Sequence, residues 1–134
     1  MLSVIFLFSA QTGNTSGSLS GAIAEKVVST LHPQLSQDAV REKADALQFP
    51  IRKLAHFSEY FVLALTFLLP LSVYGLRGKK LFFWAVFLSF LAAAGDEYHQ
   101  SFVPGRGPSF RDVCIDTSGA LLASCLTFRK SHER

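Results

Sequence analysis

From Leu54 to Tyr74 the chain is apolar except in its first turns, and no other feature limits its fold so tightly. A helix crosses the hydrocarbon core of a bilayer in about 20 residues. This segment is long enough. Leu81 to Gly95 is apolar and uncharged, and its helix can continue through Gln100. Val113 to Phe128 is apolar except for Asp116, Thr117, Ser118 and Ser124. The second and third segments reach membrane length only if their polar ends belong to the same helices. Those ends then lie at the interface or inside a bundle. Pro70 would kink the first helix, which membranes tolerate.

The composition agrees. The chain has 134 residues, 49% hydrophobic and 17% charged, with 13 Phe. That is room for one domain, and the balance favours a membrane protein over a soluble core. The net charge of +3 is modest. Its Lys and Arg flank the apolar segments in short groups instead of forming a basic stripe, so nucleic acid is excluded as a partner. Cys114 and Cys125 are eleven residues apart. On one helix that is about 16 Å, too far for a disulfide. They are expected as small apolar residues of a buried helix.

Basic residues set the orientation. Arg77, Lys79 and Lys80 follow the first apolar segment, and Arg129, Lys130 and Arg134 follow the last. Three spans put both groups on one side, which the positive-inside rule makes cytoplasmic. The C-terminus is then cytoplasmic. Arg52, Lys53, Arg106 and Arg111 fall on the opposite side, which suggests a task other than orientation.

The N-terminal part is less regular. Leu2 to Ala10 is apolar but covers about half a span, lacks a basic n-region and ends in a poor cleavage site. A half-length span at Met1 implies an upstream start or an unusually short helix. With it, residues 1–10 are a partial first span, making four spans with the N-terminus inside. Residues 11–50 form an extracytoplasmic loop carrying short helices. Its start, QTGNTSGS, reads as an exit loop. Leu19, Ile23 and Val27 recur at helical spacing over Ser18 to Leu31. Pro33 ends that helix. Ser36 can cap a second one, Gln37 to Leu47, with Asp38 in its first turn, and Pro50 closes it. Both are expected on the outer membrane surface. The expected architecture is therefore an all-α polytopic membrane bundle in one domain, residues 1–134, with clear spans at 54–74, 81–100 and 110–128.

In this topology three polar clusters share the extracytoplasmic face. Ionisable groups in or beside membrane spans are functional candidates by default. In RKLAHFSEY, Lys53, His56 and Tyr60 lie within roughly 60° of one another on a helix, with Glu59 beside His56. A carboxylate one turn from a histidine can orient its ring. Lys and Tyr also serve as interfacial anchors, which is the plain alternative for Lys53 and Tyr60. In DEYHQSFVPGR, Asp96, Glu97 and Gln100 fall within roughly 100° of arc. Two adjacent carboxyls there make one a natural proton donor or acceptor, unless a cation such as Arg106 intervenes. An ordinary polar helix end is the alternative. His99 points away from that arc. The Gly- and Pro-rich turn Val103 to Ser109 can hold Arg106 in place, and Arg suits bidentate contact with phosphate or carboxylate. In RDVCID, Asp112 has a structural alternative, because Ser109 and Asp112 make a capping-box pair. Asp116 has none. It shares a face with Asp112, Gly119 and Ala123, a stripe that permits close helix packing. It needs a partner, for which Lys53, Arg106 and Arg111 are candidates. No G-x-S-x-G, H-E-x-x-H, P-loop or dinucleotide signature occurs, and no cofactor is expected. His56, Glu97, Asp112 and Asp116 are possible metal ligands, but their separation along the chain assigns no metal.

The ordered pattern K-x-x-H-F-x-E-Y, D-E-x-x-Q-x-F-V-P-G-R, D-x-x-x-D-x-x-G resembles the VanZ-like family of small bacterial membrane proteins. The match runs from about Arg52 to Ala123, and the opening FLFSAQTGNTSGSLS resembles the end of that family's first span and the next loop. Many relatives carry Asn where Asp116 stands. The resemblance implies four membrane helices, a bacterial cell-membrane location and a link to glycopeptide resistance, teicoplanin especially. It brings no mechanism. The motif positions carried over are Lys53, His56, Tyr60, Asp96, Glu97, Gln100, Arg106, Asp112, Asp116 and Gly119.

Three functions fit these residues. In the first, the outer polar face binds or acts on a lipid-linked or cell-envelope molecule. Asp96 or Glu97 is then the acid or base with His56 as its partner, and Lys53 and Arg106 hold an anionic head group. In the second, the clusters are a non-catalytic polar plug, and function comes from binding membrane lipid, glycopeptide or an envelope partner. A small transporter is third.

Overall fold

A computed structural model describes residues 13–103, 107 and 109–132. The expected partial first span at 1–10 lies outside them. The described chain is all-helical: α1 is Gly13–Leu31, α2 Gln37–Val73, α3 Gly78–Gln100 and α4 Phe110–His132. Among the described residues there is no strand, and two helices, α2 and α3, are long and apolar enough to cross a membrane.

Helix α2 organises everything else. Ser36 caps it as its position predicts, with extended backbone and an Oγ that accepts from Ala39 N–H at 3.4 Å. The expected break at Pro50 does not occur. One helix of 37 residues runs through both Pro50 and Pro70, so Gln37 to Leu47 is not a separate short helix. Pro50 removes one backbone bond, but packing on both sides of it outweighs that local loss. Ala44, before it, forms a buried cluster with Ala24 and Val28 of α1, and Ile51, after it, packs against that cluster. The helix is about 55 Å long against a hydrocarbon thickness of about 30 Å. Its first third pairs with α1 as a hairpin, and the rest pairs with α3 and α4.

Helix α1 starts at Gly13, so the segment read as an exit loop is helical from there. Its larger apolar stripe is not the face turned to α2. Ser20, Ala24 and Val28 are buried, while Leu19, Ile23, Val27 and Leu31 stay exposed. The small residues face α2 because they let the two backbones approach, which leaves the larger apolar stripe uncovered.

A Schellman turn ends α2. Leu76 N–H donates to Leu71 O at 3.0 Å and Gly75 N–H to Ser72 O at 3.1 Å, with Gly75 at φ +89°. Both bonds need that left-handed residue. Gly75→Ala should lower the melting temperature in micelles by the equivalent of about 1 kcal/mol. An unchanged melting temperature would mean the turn is held by something else.

Helices α3 and α4 then return along α2. Tyr60, Leu63, Ala93 and Val113 form one cluster, and Ala64, Ala120 and Ala123 form another. Gly119 sits so close to α2 that a Cβ there would overlap the Phe57 carbonyl oxygen. Cys114 and Cys125 are both exposed, correcting the expectation that they are buried. Their side of α4 faces away from α2 and α3.

Candidate functional site

Three helices place polar side chains at one end of this bundle. Lys53, His56, Glu59 and Tyr60 lie midway along α2, Asp96, Glu97 and Gln100 close α3, and Asp112 and Asp116 open α4. The placement follows from chain direction. Because α3 runs antiparallel to α2, its C-terminus returns to the level of Lys53, and the link to α4 starts there.

The contacts join the three elements. Lys53 Nζ donates to Asp112 Oδ2 in an ion pair between α2 and α4, with the two side chains 13% and 27% exposed. Glu97 Oε1 accepts the Ser109 backbone N–H, linking the end of α3 to the start of α4. In a capping box that N–H would meet the carboxylate at position 112. Here Glu97 takes it, and Asp112 turns to Lys53 and accepts from Ser109 Oγ at 3.4 Å. Gln100 Nε2 donates to Asp96 Oδ2 at 2.8 Å along α3. His56 Nδ1 is 4.0 Å from Glu59 Oε2.

Burial is what distinguishes this cluster from an ordinary helix end. Asp96, Glu97, Gln100 and Asp116 are all buried. Asp116 lies within electrostatic reach of Asp96, Asp112, Glu97 and Lys53. Tyr60 is fully buried within reach of Asp96, Asp116, Glu59 and Glu97. Yet Tyr60 OH and Asp116 Oδ1 find no hydrogen-bond partner among the described residues. Buried polar atoms are normally satisfied, so two orphans at one place are unusual.

Of the sequence-level candidates, Lys53, His56, Tyr60, Asp96, Glu97, Gln100, Asp112 and Asp116 thus stand at one end of the bundle. Arg106 lies outside the described residues. His99, read as pointing away, is partly buried. Of the three cations considered for Asp116, Lys53 is engaged by Asp112, and Arg111 is exposed with its guanidinium 5.2 Å from the Phe49 ring centroid. Phe49 was not singled out from the sequence. Its ring centroid also lies 5.2 Å from Lys53 Nζ, so both cations are within cation–π reach of one ring. It stands four residues before Lys53, a signal readable only if the helix is carried through Pro50. Among the described residues no group of three or more His, Cys, Asp or Glu is arranged to hold a metal.

Compared with known proteins, the sequence matches the model of the VanZ/LLP1 family over residues 1–130. Neither a curated protein nor a solved structure matches it.

Proposed function

Because this chain belongs to the VanZ/LLP1 family, we propose that it is a multi-pass membrane protein with a polar site at the extracytoplasmic face. The site binds or acts on a lipid-linked or other cell-envelope molecule and thereby contributes to glycopeptide resistance, teicoplanin resistance in particular. In this reading α2, α3 and α4 all span, a short first span precedes them, and the C-terminus is cytoplasmic. Large apolar side chains face outward along the bundle, among them Leu54, Leu69, Phe83, Trp84, Leu91 and Leu126. Exposed apolar side chains in such number on membrane-length helices suit lipid and not water.

The observation that carries the site reading is the pair of orphaned buried groups, Tyr60 OH and Asp116 Oδ1, beside Asp96 and Glu97. A polar ligand head would satisfy them. Glu97 or Asp96 would exchange a proton with it, and His56 would serve as their partner. Lys53 already pairs with Asp112, so an anionic head group would bind by sharing that ammonium. Phe49, under both Lys53 and Arg111, borders the entry.

Glu97→Gln is the informative variant. It keeps an oxygen to accept the Ser109 N–H and removes only the charge and the proton chemistry. In a teicoplanin-susceptible Gram-positive host, the wild-type chain should protect and Glu97→Gln should not, at equal membrane levels by blot. Equal protection by both would remove Glu97 from the chemistry.

That outcome would favour a second reading, for which the structure also offers an observation. Lys53 with Asp112, and Glu97 with Ser109, are contacts between helices. They would form a polar plug that holds a non-catalytic binding protein together. Protection by neither chain at good membrane levels would instead dissociate this protein from resistance.

A further inference from the structure

The opposite end of the bundle carries a cavity of about 180 Å³ between the α2–α3 turn and the last turns of α4. Leu68, Leu81, Phe82 and Phe128 make its apolar wall, and Arg77, Gly78, Ser72, Ser124 and Thr127 its polar one.

Its polar wall points to an anion. Arg77 is the N-cap of α3 and its side chain makes no capping hydrogen bond, so the first backbone N–H groups of a 23-residue helix are left without a side-chain acceptor. The first turn of α3 contains no acidic residue. It holds Lys79 and Lys80 instead, which add positive charge where the helix dipole is already positive. No Asp or Glu occurs from 61 to 95 or from 117 to 132. No Asp or Glu is among the described residues that line the cavity.

The second observation is independent of the helix terminus. Ser124 lines the cavity from α4, is 1% exposed, and its Oγ has no hydrogen-bond partner among the described residues. The neighbouring hydroxyls are engaged. Ser72 donates to Leu69 O at 2.7 Å and Thr127 to Ala123 O at 2.9 Å. Ser124 thus contributes a buried hydroxyl without a partner to the lining of a cavity that Arg77 and Gly78, at the α3 terminus, also line.

We propose that this cavity binds the phosphodiester head of an anionic phospholipid, with Arg77, the α3 N-terminus and Ser124 Oγ as its donors and the Leu68–Leu81–Phe82 wall against the adjoining acyl chain. A helix N-terminus with a guanidinium is a general phosphate cradle. Basic pockets between membrane helices suit anionic head groups on the cytoplasmic side. The apolar wall selects a lipid over free phosphate. The site is separate from the acidic cluster and rests on the membrane reading only for its access to lipid.

The test uses the full chain in neutral maltoside micelles, with thermal unfolding followed as lipid is added. Phosphatidylglycerol should raise the melting temperature saturably, and phosphatidylcholine should not. Arg77→Gln should raise the half-saturating lipid concentration about tenfold. Ser124→Ala should raise it about fivefold. Without lipid, Ser124→Ala should melt no lower than wild type, because it deletes an unsatisfied buried hydroxyl. A residue that merely packs would not separate these two readouts. Equal effects of the two lipids, or wild-type lipid responses in both variants, would overturn the proposal. So would inorganic phosphate giving the full shift, which would make this a free-phosphate site. Retention of the chain in membranes after alkaline washing checks the membrane reading separately.

Discussion

Gly119→Ala should be the most damaging small substitution in the chain. Its Cβ would overlap the Phe57 carbonyl oxygen and press on Phe61 N. Both are backbone atoms of α2, so no side chain can rotate away. The two helices would have to separate along the contact that also seats Ala64 against Ala120 and Ala123. Overpacking of this kind costs about 1–3 kcal/mol where neighbours can adjust, and the rigid partner here places it at the upper end, about 3 kcal/mol. The melting temperature in micelles should fall by many degrees, and less protein should accumulate in membranes. Gly95→Ala is the control. A Cβ at Gly95 meets nothing within 4 Å, and alanine is the better helix former. If both variants melted alike, the close α2–α4 contact would be wrong.

Lys53→Met should have the second largest effect, through the carboxylate it leaves behind. Asp112 would keep only the Ser109 hydroxyl among the contacts described. Removing one partner of a buried pair costs about 3–5 kcal/mol, and the partial exposure of this one reduces the expectation to about 2 kcal/mol. Lys53→Met with Asp112→Asn should recover most of the loss, because neither charge is then stranded. A double-mutant cycle by unfolding in micelles should give a coupling of about 1–2 kcal/mol. Strict additivity would mean that the two side chains do not meet. The same double variant probes function, since it removes the ammonium from the polar end while sparing the fold. Loss of protection at normal stability would assign Lys53 to ligand binding. Retained protection would leave it as a brace.

These two predictions also show where sequence reading succeeds and where it stops. The small-residue stripe of α4 was visible as Gly119 and Ala123 on the face of Asp112 and Asp116, because a fixed helical period orders residues along one element. Which part of α2 it met was not visible. Phe57 carries no mark of its own, since its backbone carbonyl makes the contact. Asp112 illustrates the same division. Its spacing from Ser109 offers a cap as one alternative, and the carboxylate for which the sequence suggests Lys53 as a partner is Asp116. The exchange, with Glu97 taking the N–H and Asp112 taking Lys53, needs the end of α3 beside the start of α4. No local pattern encodes that.

Pro50 marks the opposite failure, in which a local signal was real but outweighed. Proline is a strong local stop, yet α2 continues because Ala44 before it and Ile51 after it belong to one packed cluster shared with α1. Leu19, Ile23 and Val27 form the more apolar stripe of α1, yet Ser20, Ala24 and Val28 face α2. Bulk favours burial one residue at a time, whereas close approach of two backbones favours small side chains along a whole face.

The sequence by itself determined the helical class, two membrane-length apolar segments and the family, because apolar length and motif order are properties of the chain read in one dimension. It also determined which residues were chemically eligible, since buried-capable carboxylates, a lysine and a tyrosine at apolar segment ends are visible as residue types. Only the tertiary structure decided their pairing. Lys53 joins Asp112, Glu97 joins Ser109, and Tyr60 and Asp116 are buried with polar atoms unsatisfied. It alone brought Ser124 and Arg77 into the lining of one cavity. The reason is physical: partner choice depends on distances between helices, and those are fixed by how small residues such as Gly119, Ala64 and Ala120 let the backbones approach.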